Sequence, residues 1–265
     1  MTNQPARRRS PLIEVAGVSK VYPSSGGPVQ ALDTVSLDIG DGEFVSVVGP
    51  SGCGKSTLLL IVAGLLPASS GEVRIGDRVV SHPQTEIGIV FQNPVLLDWR
   101  TVLGNVLLQV EARDLELAAF RPTAQALLKS VGLEGFEDKY PFELSGGMRQ
   151  RTAICRALIH DPPLLLMDEP FGALDALTRE QMRLDIERLW MQSRKTVLFV
   201  THSISEAILL SDRVVVMSPR PGTIEQTIPI DLARPRALAI KDSARFAEFS
   251  KTITDIFLDR GVLRY

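Results

Sequence analysis

Short, almost uninterrupted apolar runs recur along the chain and alternate with segments of helical periodicity. They comprise EFVSVV (43–48), IGIVF (87–91), PLLLM (163–167), TVLFVT (196–201) and RVVVM (213–217). Such runs are typical of strands that are buried on both faces of a parallel sheet. Helical patterns such as TREQMRLDIERLWMQS (178–193) separate most of them. The alternation predicts an α/β fold with a parallel-sheet core, in which ligands bind at the carboxyl ends of the strands.

Other regions depart from this alternation. Residues 12–40 and 72–80 combine β-rich runs with turn signals, which predicts an N-terminal antiparallel β subdomain. Residues 101–158 are mainly helical in pattern, and we interpret the stretch from about 95 to 158 as an inserted helical subdomain. An amphipathic helix is predicted over SARFAEFSKTITDIFLD (243–259). We divide the chain into a disordered basic tail (1–11), a main domain (12–222) and a C-terminal extension (223–265).

Composition places the chain among ordinary globular proteins. Of its 265 residues, 45% are hydrophobic and 23% are charged, which suits a sizeable core. The net charge of -2 argues against nucleic acid as a partner, because general nucleic-acid binding usually needs a basic surface. The apolar run LLLIVAGLL (58–66) is far shorter than the roughly 20 residues that span a bilayer, so we expect no membrane crossing. Cys53 and Cys155 have no metal-ligand spacing and suggest no disulfide framework, which favours a reducing compartment.

The first candidate for chemistry is GPSGCGKST (49–57), which follows a predicted strand and opens a predicted helix. Its glycines, Lys55 and Ser56 have the spacing of a P-loop. Glycines let backbone N–H groups wrap around phosphates, Lys55 would reach the β- and γ-phosphates, and the Ser56 hydroxyl would ligate Mg²⁺. The pattern alone has chance matches, but the strand–loop–helix context supports it. The sequence thus predicts a nucleoside triphosphate site.

Polar residues follow three other apolar runs. Asp168 and Glu169 come directly after PLLLM, where Asp168 suits a Mg²⁺ contact and Glu169 can polarise an attacking water as a general base. Gln92 follows IGIVF, and His202 follows TVLFVT. Each signal alone is weak, since a lone histidine is more often structural and two carboxylates can simply cap the next helix. Because these runs would share one sheet edge, we expect the four side chains to converge there.

The segment LSGGMRQR (144–151) has an unusual start for a helix. A serine at an N-cap position is followed by Gly146 and Gly147, and then by a strongly helical pattern. A helix that begins in this way has unpaired backbone N–H groups, and its dipole also favours an anion. Taken alone, the pattern is better explained by a capped helix that follows a loop.

Taken together in their order along residues 12–222, the motifs resemble those of the ATP-binding cassette (ABC) family, specifically a transporter ATPase subunit. The matching segments are GPSGCGKST, VFQ with Gln92, LSGGM (144–148), LLLMDEP, ALD (173–175) and VTHS with His202. LSGGM, the family's signature, discriminates most sharply, because other P-loop classes lack it. Tyr22, in VSKVYP, matches the aromatic residue that stacks on adenine. The resemblance implies a P-loop NTPase fold with ATP and Mg²⁺ as cofactors.

The resemblance also implies a composite site. In this family two cassettes pair head to tail, so that the signature of one chain faces the P-loop of the other. Ser145 and the amides of Gly146 and Gly147 would bind the γ-phosphate held by the partner, and Asp175 would couple the two sites. Met148 stands where the signature commonly ends in Gln, and we expect little effect on the mechanism. The partner implied is a second copy of this chain.

The remaining roles follow from the same resemblance. Glu169 would be the catalytic base, His202 would hold the γ-phosphate, and Gln92 would sense Mg²⁺ and the γ-phosphate. The implied Mg²⁺ set is Ser56, Gln92 and Asp168. The implied ATP-binding set is Tyr22, Gly49, Pro50, Ser51, Gly52, Cys53, Gly54, Lys55, Ser56, Thr57, Ser145, Gly146, Gly147 and Asp175.

A narrower resemblance links the chain to bacterial importers of nitrate, sulfonate and taurine. It lies in NPVLLDWRTVLGNV (93–106), DEPFGALDALTRE (168–180) and SDRVVVMSPRPGTI (211–224). Importers of thiamine precursors share this subgroup, so the solute stays open. The implied partners are integral membrane permease subunits and, indirectly, a solute-binding protein, with the ATPase peripheral on the cytoplasmic face of the inner membrane. Leu96, Leu97 and Trp99 either dock the coupling helix of the permease or partly fill the core of the helical subdomain.

Three other classes fit the sequence less well. An ABC-type ATPase that acts on DNA or chromosomes would insert a long coiled coil before LSGGM, and this stretch has no sustained heptads. A GTP-binding switch would need an N-K-x-D string, which the sequence lacks. A regulatory cassette without hydrolysis would usually have lost Glu169 or His202. We therefore expect an ATPase that drives solute uptake, with the DNA-associated role as the alternative.

Overall fold

The computed structural model describes residues 11–262. Its strands, in chain order, are β1 (Pro11–Tyr22), β2 (Val29–Gly40), β3 (Phe44–Val48), β4 (Ser70–Ile75), β5 (Arg78–Val79), β6 (Gly88–Val90), β7 (Leu164–Asp168), β8 (Thr196–Thr201), β9 (Arg213–Met217) and β10 (Ile224–Pro229). Its α-helices are α1 (Lys55–Val62), α2 (Val102–Glu111), α3 (Leu117–Ser130), α4 (Gly146–Leu158), α5 (Ala176–Ser193), α6 (Ile204–Leu210) and α7 (Ala244–Asp259). The tail predicted at 1–11 lies outside the described residues except for Pro11, which belongs to β1.

A six-stranded sheet forms the centre of the molecule, in the order β10-β9-β3-β8-β7-β6. The neighbouring pairs from β9 to β6 are parallel. Among the strands of residues 11–262, only β10 joins this sheet antiparallel, along β9. The apolar runs of the sequence correspond to β3, β6, β7, β8 and β9, so the predicted α/β fold with a parallel core is confirmed.

Burial on both faces explains why these runs are continuously apolar. Successive residues of a strand point to opposite faces. In β7, Leu164 and Leu166 pack in the cluster that contains α1, whereas Leu165 and Met167 pack in the cluster that contains α5. Burying one such side chain completely contributes about 1.5–3 kcal/mol. A polar residue on either face would therefore be costly.

The N-terminal strands form a second sheet, which is antiparallel as predicted. Its order is β2-β1-β4-β5, and side chains of β1 and β2 pack in the same cluster as α1. The helix that follows the P-loop, α1, stops before the end of the apolar run 58–66. It ends at Val62, because the N–H groups of Leu65 and Leu66 both return to the carbonyl of Leu60 and close the last turn.

Helices α2, α3 and α4 lie between β6 and β7 in the chain. They pack around an apolar cluster of their own. Its buried members include Val106 on α2, Leu128 on α3 and Cys155 on α4. Burial raises the pKa of the Cys155 thiol to about 12, so this cysteine is an apolar core residue rather than a reactive thiol. Within residues 11–262, no helix has both the length and the apolar character needed to cross a membrane.

The chain beyond residue 222 adds to the core rather than trailing from it. Strand β10 extends the central sheet, and the predicted amphipathic helix, α7, lies against α6 and β9. Phe246, Phe249, Ile253 and Phe257 form its buried stripe. The sequence did not predict β10, because Ile228 is its one fully buried residue and the strand has no apolar run.

Candidate nucleotide-binding site

The P-loop joins the end of β3 to the start of α1 at Lys55. Gly54 has a left-handed backbone with φ 99°. A Cβ atom at this position would meet Cδ2 of Leu32 at 2.5 Å, so only glycine fits between the loop and β2. The loop therefore wraps tightly, as a phosphate-binding loop must, and α1 begins directly at the residue that carries the positive charge.

The side chain of Lys55 is buried inside this loop. Its Nζ atom donates to the carbonyl oxygens of Gly49 and Pro50, both at 2.9 Å. The same atom lies 3.9 Å from Oε1 of Glu169. The ammonium group is thus held at the centre of the loop, beside a carboxylate that the chain supplies from another strand.

Two carboxylates stand at the carboxyl end of β7. Asp168 accepts a hydrogen bond of 2.9 Å from the Ser56 hydroxyl, which links β7 to the P-loop helix. Burial raises the pKa of Asp168, and the Ser56 hydrogen bond opposes this rise. Glu169 has a positive φ of 43°, and its N–H donates to the carbonyl of Val200 on β8 at 2.8 Å. This contact holds the turn that aims the Glu169 side chain into the cleft.

His202 follows β8, the strand between β3 and β7. Its Nδ1 atom lies 3.1 Å from Oε2 of Glu169, within hydrogen-bond distance. Three adjacent strands, β3, β8 and β7, therefore present Lys55, His202 and Glu169 at one sheet edge. The convergence expected of the residues after β7 and β8 is present in the structure.

The aromatic ring of Tyr22 lies near Thr57, at the end of the P-loop. Its hydroxyl is 3.2 Å from Oγ1 of Thr57, and Nζ of Lys20 lies 5.3 Å from the centre of the ring. The contact with Thr57 fixes Tyr22 relative to the start of α1. A half-buried ring in this position offers a face on which a base can stack.

These groups line a cleft of about 410 Å³, which is in the range of small-molecule sites. Its lining residues are Tyr22, Val29, Ala31, Ser51, Gly52, Gly54, Lys55, Ser56, Thr57, Gln92, Glu169 and Arg220. Asp168 and His202 adjoin the cleft through Ser56 and Glu169. Most of the lining was predicted, including Gln92, which follows β6.

Val29, Ala31 and Arg220 were missed. The signal for Arg220 was its place in SPRPGTI, which the sequence analysis used only as a mark of the importer subgroup. A hydrogen bond between distant parts of the chain brings Arg220 to the cleft. The N–H of Gly222 donates to the carbonyl of Ala31 at 2.9 Å, which joins this segment to β2. Pairing of this kind has no signature in the sequence.

The signature segment lies apart from the cleft. Ser145 is the N-cap of α4, and its side chain accepts from the N–H of Met148 at 3.3 Å. A Cβ atom on Gly147 would meet Cγ2 of Thr178 at 2.5 Å, so α4 packs tightly against the first turn of α5. Asp175 caps that turn by accepting from the N–H groups of Leu177 and Thr178. Ser145, Gly146, Gly147 and Asp175 are absent from the lining of the cleft in their own chain.

The predicted docking residues separate into two groups. Trp99 is 74% exposed, whereas Leu96 and Leu97 are half-buried. The buried Asn105 holds this loop, because its side chain accepts from the N–H of Leu97 and donates to the carbonyls of Leu97 and Arg100. The loop that carries Trp99 is therefore ordered by α2 and presents an exposed indole.

The chain matches a known protein family and several named relatives. The family described as ABC transporter matches residues 32–172. The taurine import ATP-binding protein TauB of Rhizobium johnstonii is 47% identical over 90% of this chain and 93% of its own length. The aliphatic sulfonates import ATP-binding protein SsuB of Bacillus cereus is 41% identical over 95% of this chain and 98% of its own length.

A solved structure has the same architecture. It is the dimeric structure of the ATP-binding cassette MJ0796 in a post-hydrolysis state, bound to ADP and Pi. It is 35% identical to this chain and superposes with a TM-score of 0.74, covering 83% of this chain and 100% of that one. The family match over residues 32–172 and the identity to the two import proteins along most of their length show that this chain belongs to the ABC transporter family.

Proposed function

We propose that this chain is the ATP-hydrolysing subunit of a bacterial importer for sulfonate-type solutes, and that it works as a homodimer beneath separate membrane permease subunits. The observation that carries the proposal is the meeting of Lys55 with the Glu169–His202 pair in one cleft. The names of the relatives, taurine import and aliphatic sulfonates import proteins, support the class of solute. Membrane association follows from the permease partners, at the cytoplasmic face of the inner membrane.

Separate parts of the cleft bind the two ends of ATP, which are the adenine base and the phosphates. Tyr22 stacks on the adenine, since its ring forms one wall of the cleft. The P-loop amides and Lys55 bind the β- and γ-phosphates, whose charge replaces the carbonyl contacts of the ammonium group. Stacking tolerates different bases, because it depends on a π-face and not on base edges.

The chain also fits a magnesium ion. Ser56 and Asp168 form a hydroxyl–carboxylate pair at 2.9 Å, and the Gln92 amide lines the same cleft. In proteins, Mg²⁺ is usually held by a few side-chain oxygens together with the phosphates of the substrate. Ser56 and Gln92 would hold the ion directly, and Asp168 would hold it directly or through water. When bound, Mg²⁺ neutralises charge that develops on the β- and γ-phosphates.

Hydrolysis then depends on Glu169. Its carboxylate accepts a proton from the attacking water, whose oxygen forms the new bond to the γ-phosphorus while the bond to ADP breaks. His202 lies 3.1 Å from the same carboxylate and holds the γ-phosphate once ATP is present. Lys55 stabilises the charge on the transferred group. Each of the three strands β3, β8 and β7 thus contributes one function.

A second copy of the chain completes the site. Ser145 is exposed at the start of α4 and Asp175 at the start of α5, and neither lines the cleft of its own chain. Head-to-tail pairing would bring the unpaired N–H groups of α4 to the γ-phosphate held by the partner. The exposed Leu177, at 85%, is an apolar residue next to this surface that pairing would cover.

The permease contact is proposed at the loop that carries Trp99. The indole is largely exposed on a loop that Asn105 orders, and an exposed ring on a rigid support suits a groove for a helix of the permease. Leu96 and Leu97 are half-buried, so they serve the packing of the loop more than the contact. The solute-binding protein acts through the permease and does not touch this chain.

The alternative role on DNA lacks structural support. Such an ATPase would carry a long coiled coil before the signature. Among the described residues between the P-loop and Ser145, the α-helices are α1, α2 and α3, and α3, with 14 residues, is the longest. Helices of this length form a compact bundle and cannot extend as a coiled-coil arm.

The proposal is tested by reconstitution. The chain is purified with candidate permease subunits, placed in vesicles with a solute-binding protein, and assayed for ATP hydrolysis with taurine, an alkanesulfonate, nitrate or a thiamine precursor. We expect stimulation by taurine or the alkanesulfonate, and loss of that stimulation in Trp99→Ala with unchanged basal hydrolysis. Stimulation by the thiamine precursor alone would reassign the solute. Basal hydrolysis that no solute stimulates with any permease would overturn the import function.

A further inference from the structure

Glu206 is a buried carboxylate that the proposed mechanism does not use. It lies on α6 with 8% of its surface exposed. Its Oε2 atom accepts a hydrogen bond of 2.6 Å from the hydroxyl of Thr201, the residue directly before His202. Burial raises the pKa of Glu206, while the Thr201 hydrogen bond and the charge of Arg179 oppose this rise.

Helix capping does not explain this position. Ser203 and Glu206 have the spacing of a capping box, in which the glutamate side chain would return to the N–H of the serine. Here the N–H of Ser203 donates to Oγ1 of Thr201 at 3.0 Å instead. Thr201 thus takes the place of the carboxylate at the helix end, which leaves the Glu206 carboxylate to reach further.

The Glu206 carboxylate reaches towards Arg179 on α5. Oε1 of Glu206 lies 3.8 Å from Nε of Arg179, and this buried nitrogen has no hydrogen-bond partner among residues 11–262. The other end of the guanidinium donates from Nη2 to the carbonyl of Leu174 at 3.0 Å. Leu174 directly precedes Asp175, the N-cap of α5.

We propose that Glu206 and Arg179 are positioning residues that tie the His202 turn to the Asp175 turn, a link that rests on the roles proposed above for His202 and Asp175. The contacts run from Thr201 through Glu206 and Arg179 to Leu174. In the head-to-tail dimer, His202 serves the nucleotide of its own chain and Asp175 faces the partner. The pair therefore makes the geometry of each hydrolytic site depend on closure of the dimer.

The link predicts a loss of turnover without a loss of nucleotide binding. The cleft is lined by neither residue, so the affinity for ATP does not depend on them directly. Glu206→Gln keeps the shape and the Thr201 contact but removes the charge that faces Arg179. Arg179→Met removes the donor to Leu174. We expect each variant to lower kcat roughly tenfold with KM for ATP within about twofold.

The double variant tests whether the two residues act together. If they form one link, Glu206→Gln with Arg179→Met lowers kcat no further than the worse single variant. Arg179→Lys, which keeps the charge but loses the forked donor, should recover part of the turnover. If the double variant instead lowered kcat by the product of the two single effects, the link would be overturned.

A matched ion pair on the same helix provides the control. Asp185 of α5 lies 3.6 Å from Arg151 of α4, and neither residue lines the cleft. Asp185→Asn should change the thermal midpoint about as much as Glu206→Gln while leaving kcat unchanged. An equal loss of kcat in Asp185→Asn would show that Glu206 merely supports the fold, which overturns the inference.

His202→Ala separates this inference from the proposed site. Inactive His202→Ala together with normal kcat in Glu206→Gln would overturn the link and leave the site intact. Active His202→Ala would overturn the role of His202, and the link with it. ATP-driven dimerisation, measured by size-exclusion chromatography in the Glu169→Gln background, should also weaken when Glu206→Gln is added.

Discussion

The Nζ atom of Lys55 lies 3.9 Å from Oε1 of Glu169, although the two residues follow different strands. Lys55 comes after β3 and Glu169 after β7, and β8 with His202 runs between them. Because the three strands are parallel, their carboxyl ends meet at one edge. The lysine proposed to bind phosphate and the glutamate proposed to activate water are therefore neighbours, although they lie far apart in the chain.

Lys55→Ala should remove most ATP hydrolysis. The substitution deletes the buried charge that is proposed to bind the β- and γ-phosphates, and we expect kcat to fall by roughly a hundredfold or more. Hydrolysis is measured at saturating ATP, so that weaker binding does not mask the result. Lys129→Ala is the control, since Lys129 pairs with Glu134 on the surface. Near-normal turnover in Lys55→Ala would remove the P-loop from the mechanism.

Glu169→Gln should bind ATP normally and hydrolyse it hardly at all. The amide keeps the size of the side chain but cannot take the proton from water. Affinity is followed with a fluorescent ATP analogue and turnover by phosphate release. Glu72→Gln, in an exposed pair with Arg74, is the matched control. If affinity drops as far as turnover in Glu169→Gln, this carboxylate supports the loop and a different base acts.

Tyr22→Ala should weaken nucleotide binding more than it slows catalysis. Loss of the stacking face costs about 1–3 kcal/mol per base, which corresponds to a rise in Kd of roughly fivefold to 150-fold. Tyr22→Phe keeps the ring but loses the contact with Thr57, and it should bind almost as well as the parent. The parent should accept GTP with similar affinity. Unchanged ATP affinity in Tyr22→Ala would exclude this ring from the site.

Ser145→Arg should block ATP-driven dimerisation. The bulky side chain would stand at the start of α4, where the γ-phosphate of the partner is proposed to bind. Dimerisation is measured in the Glu169→Gln background by size-exclusion chromatography. Ser130→Arg, at the exposed end of α3, is the control. Equal dimerisation with and without Ser145→Arg would leave LSGGM as a capped helix with no phosphate to bind.

The same arrangement allows a complementation assay. In a mixed dimer of Lys55→Ala and Ser145→Arg, one site carries both lesions and the other carries neither. Mixing the two inactive chains should restore measurable hydrolysis, provided that one intact site can turn over beside an inactive one. The dimerisation measurement above does not depend on that condition, and it decides the question if complementation fails.

Arg236→Ala should destabilise the protein substantially. The guanidinium is 1% exposed, and it donates to the carbonyls of Ile208 and Ser211 on the α6 side and of Leu232 in the extension. Removing it leaves these buried acceptors unpaired, which costs about 3 kcal/mol or more. The thermal midpoint should fall by roughly 6–12 °C.

Arg245→Ala is the control for that loss. Arg245 pairs with Asp231 and Glu248, but it is 45% exposed, and surface pairs contribute at most about 1 kcal/mol. Both variants are compared by thermal unfolding at one protein concentration without nucleotide. Equal shifts in the two variants would mean that the buried arginine does not anchor the extension.

The amino-acid sequence by itself determined the parallel core and most of the cleft. Strands buried on both faces are mostly apolar, so β3, β7 and β8 appear as nearly uninterrupted runs that no amphipathic helix would produce. The P-loop is also a local signal, because its glycines and Lys55 lie within one short, continuous stretch of the chain. The residues after β7 and β8 could be assigned to one edge as soon as the strands were known to be parallel.

Tertiary structure alone decided what depends on contacts between distant segments. β10 is an edge strand in which only Ile228 is buried, and no apolar run in the sequence indicates its pairing with β9. Arg220 reaches the cleft through the pairing of Gly222 with Ala31, and Glu206 meets Arg179 across two helices. The buried Arg236 looks like any surface arginine in the sequence, because a charge is buried only when carbonyls from separate elements surround it. Local periodicity records which face of an element is apolar, but it does not record which polar groups meet when the elements pack.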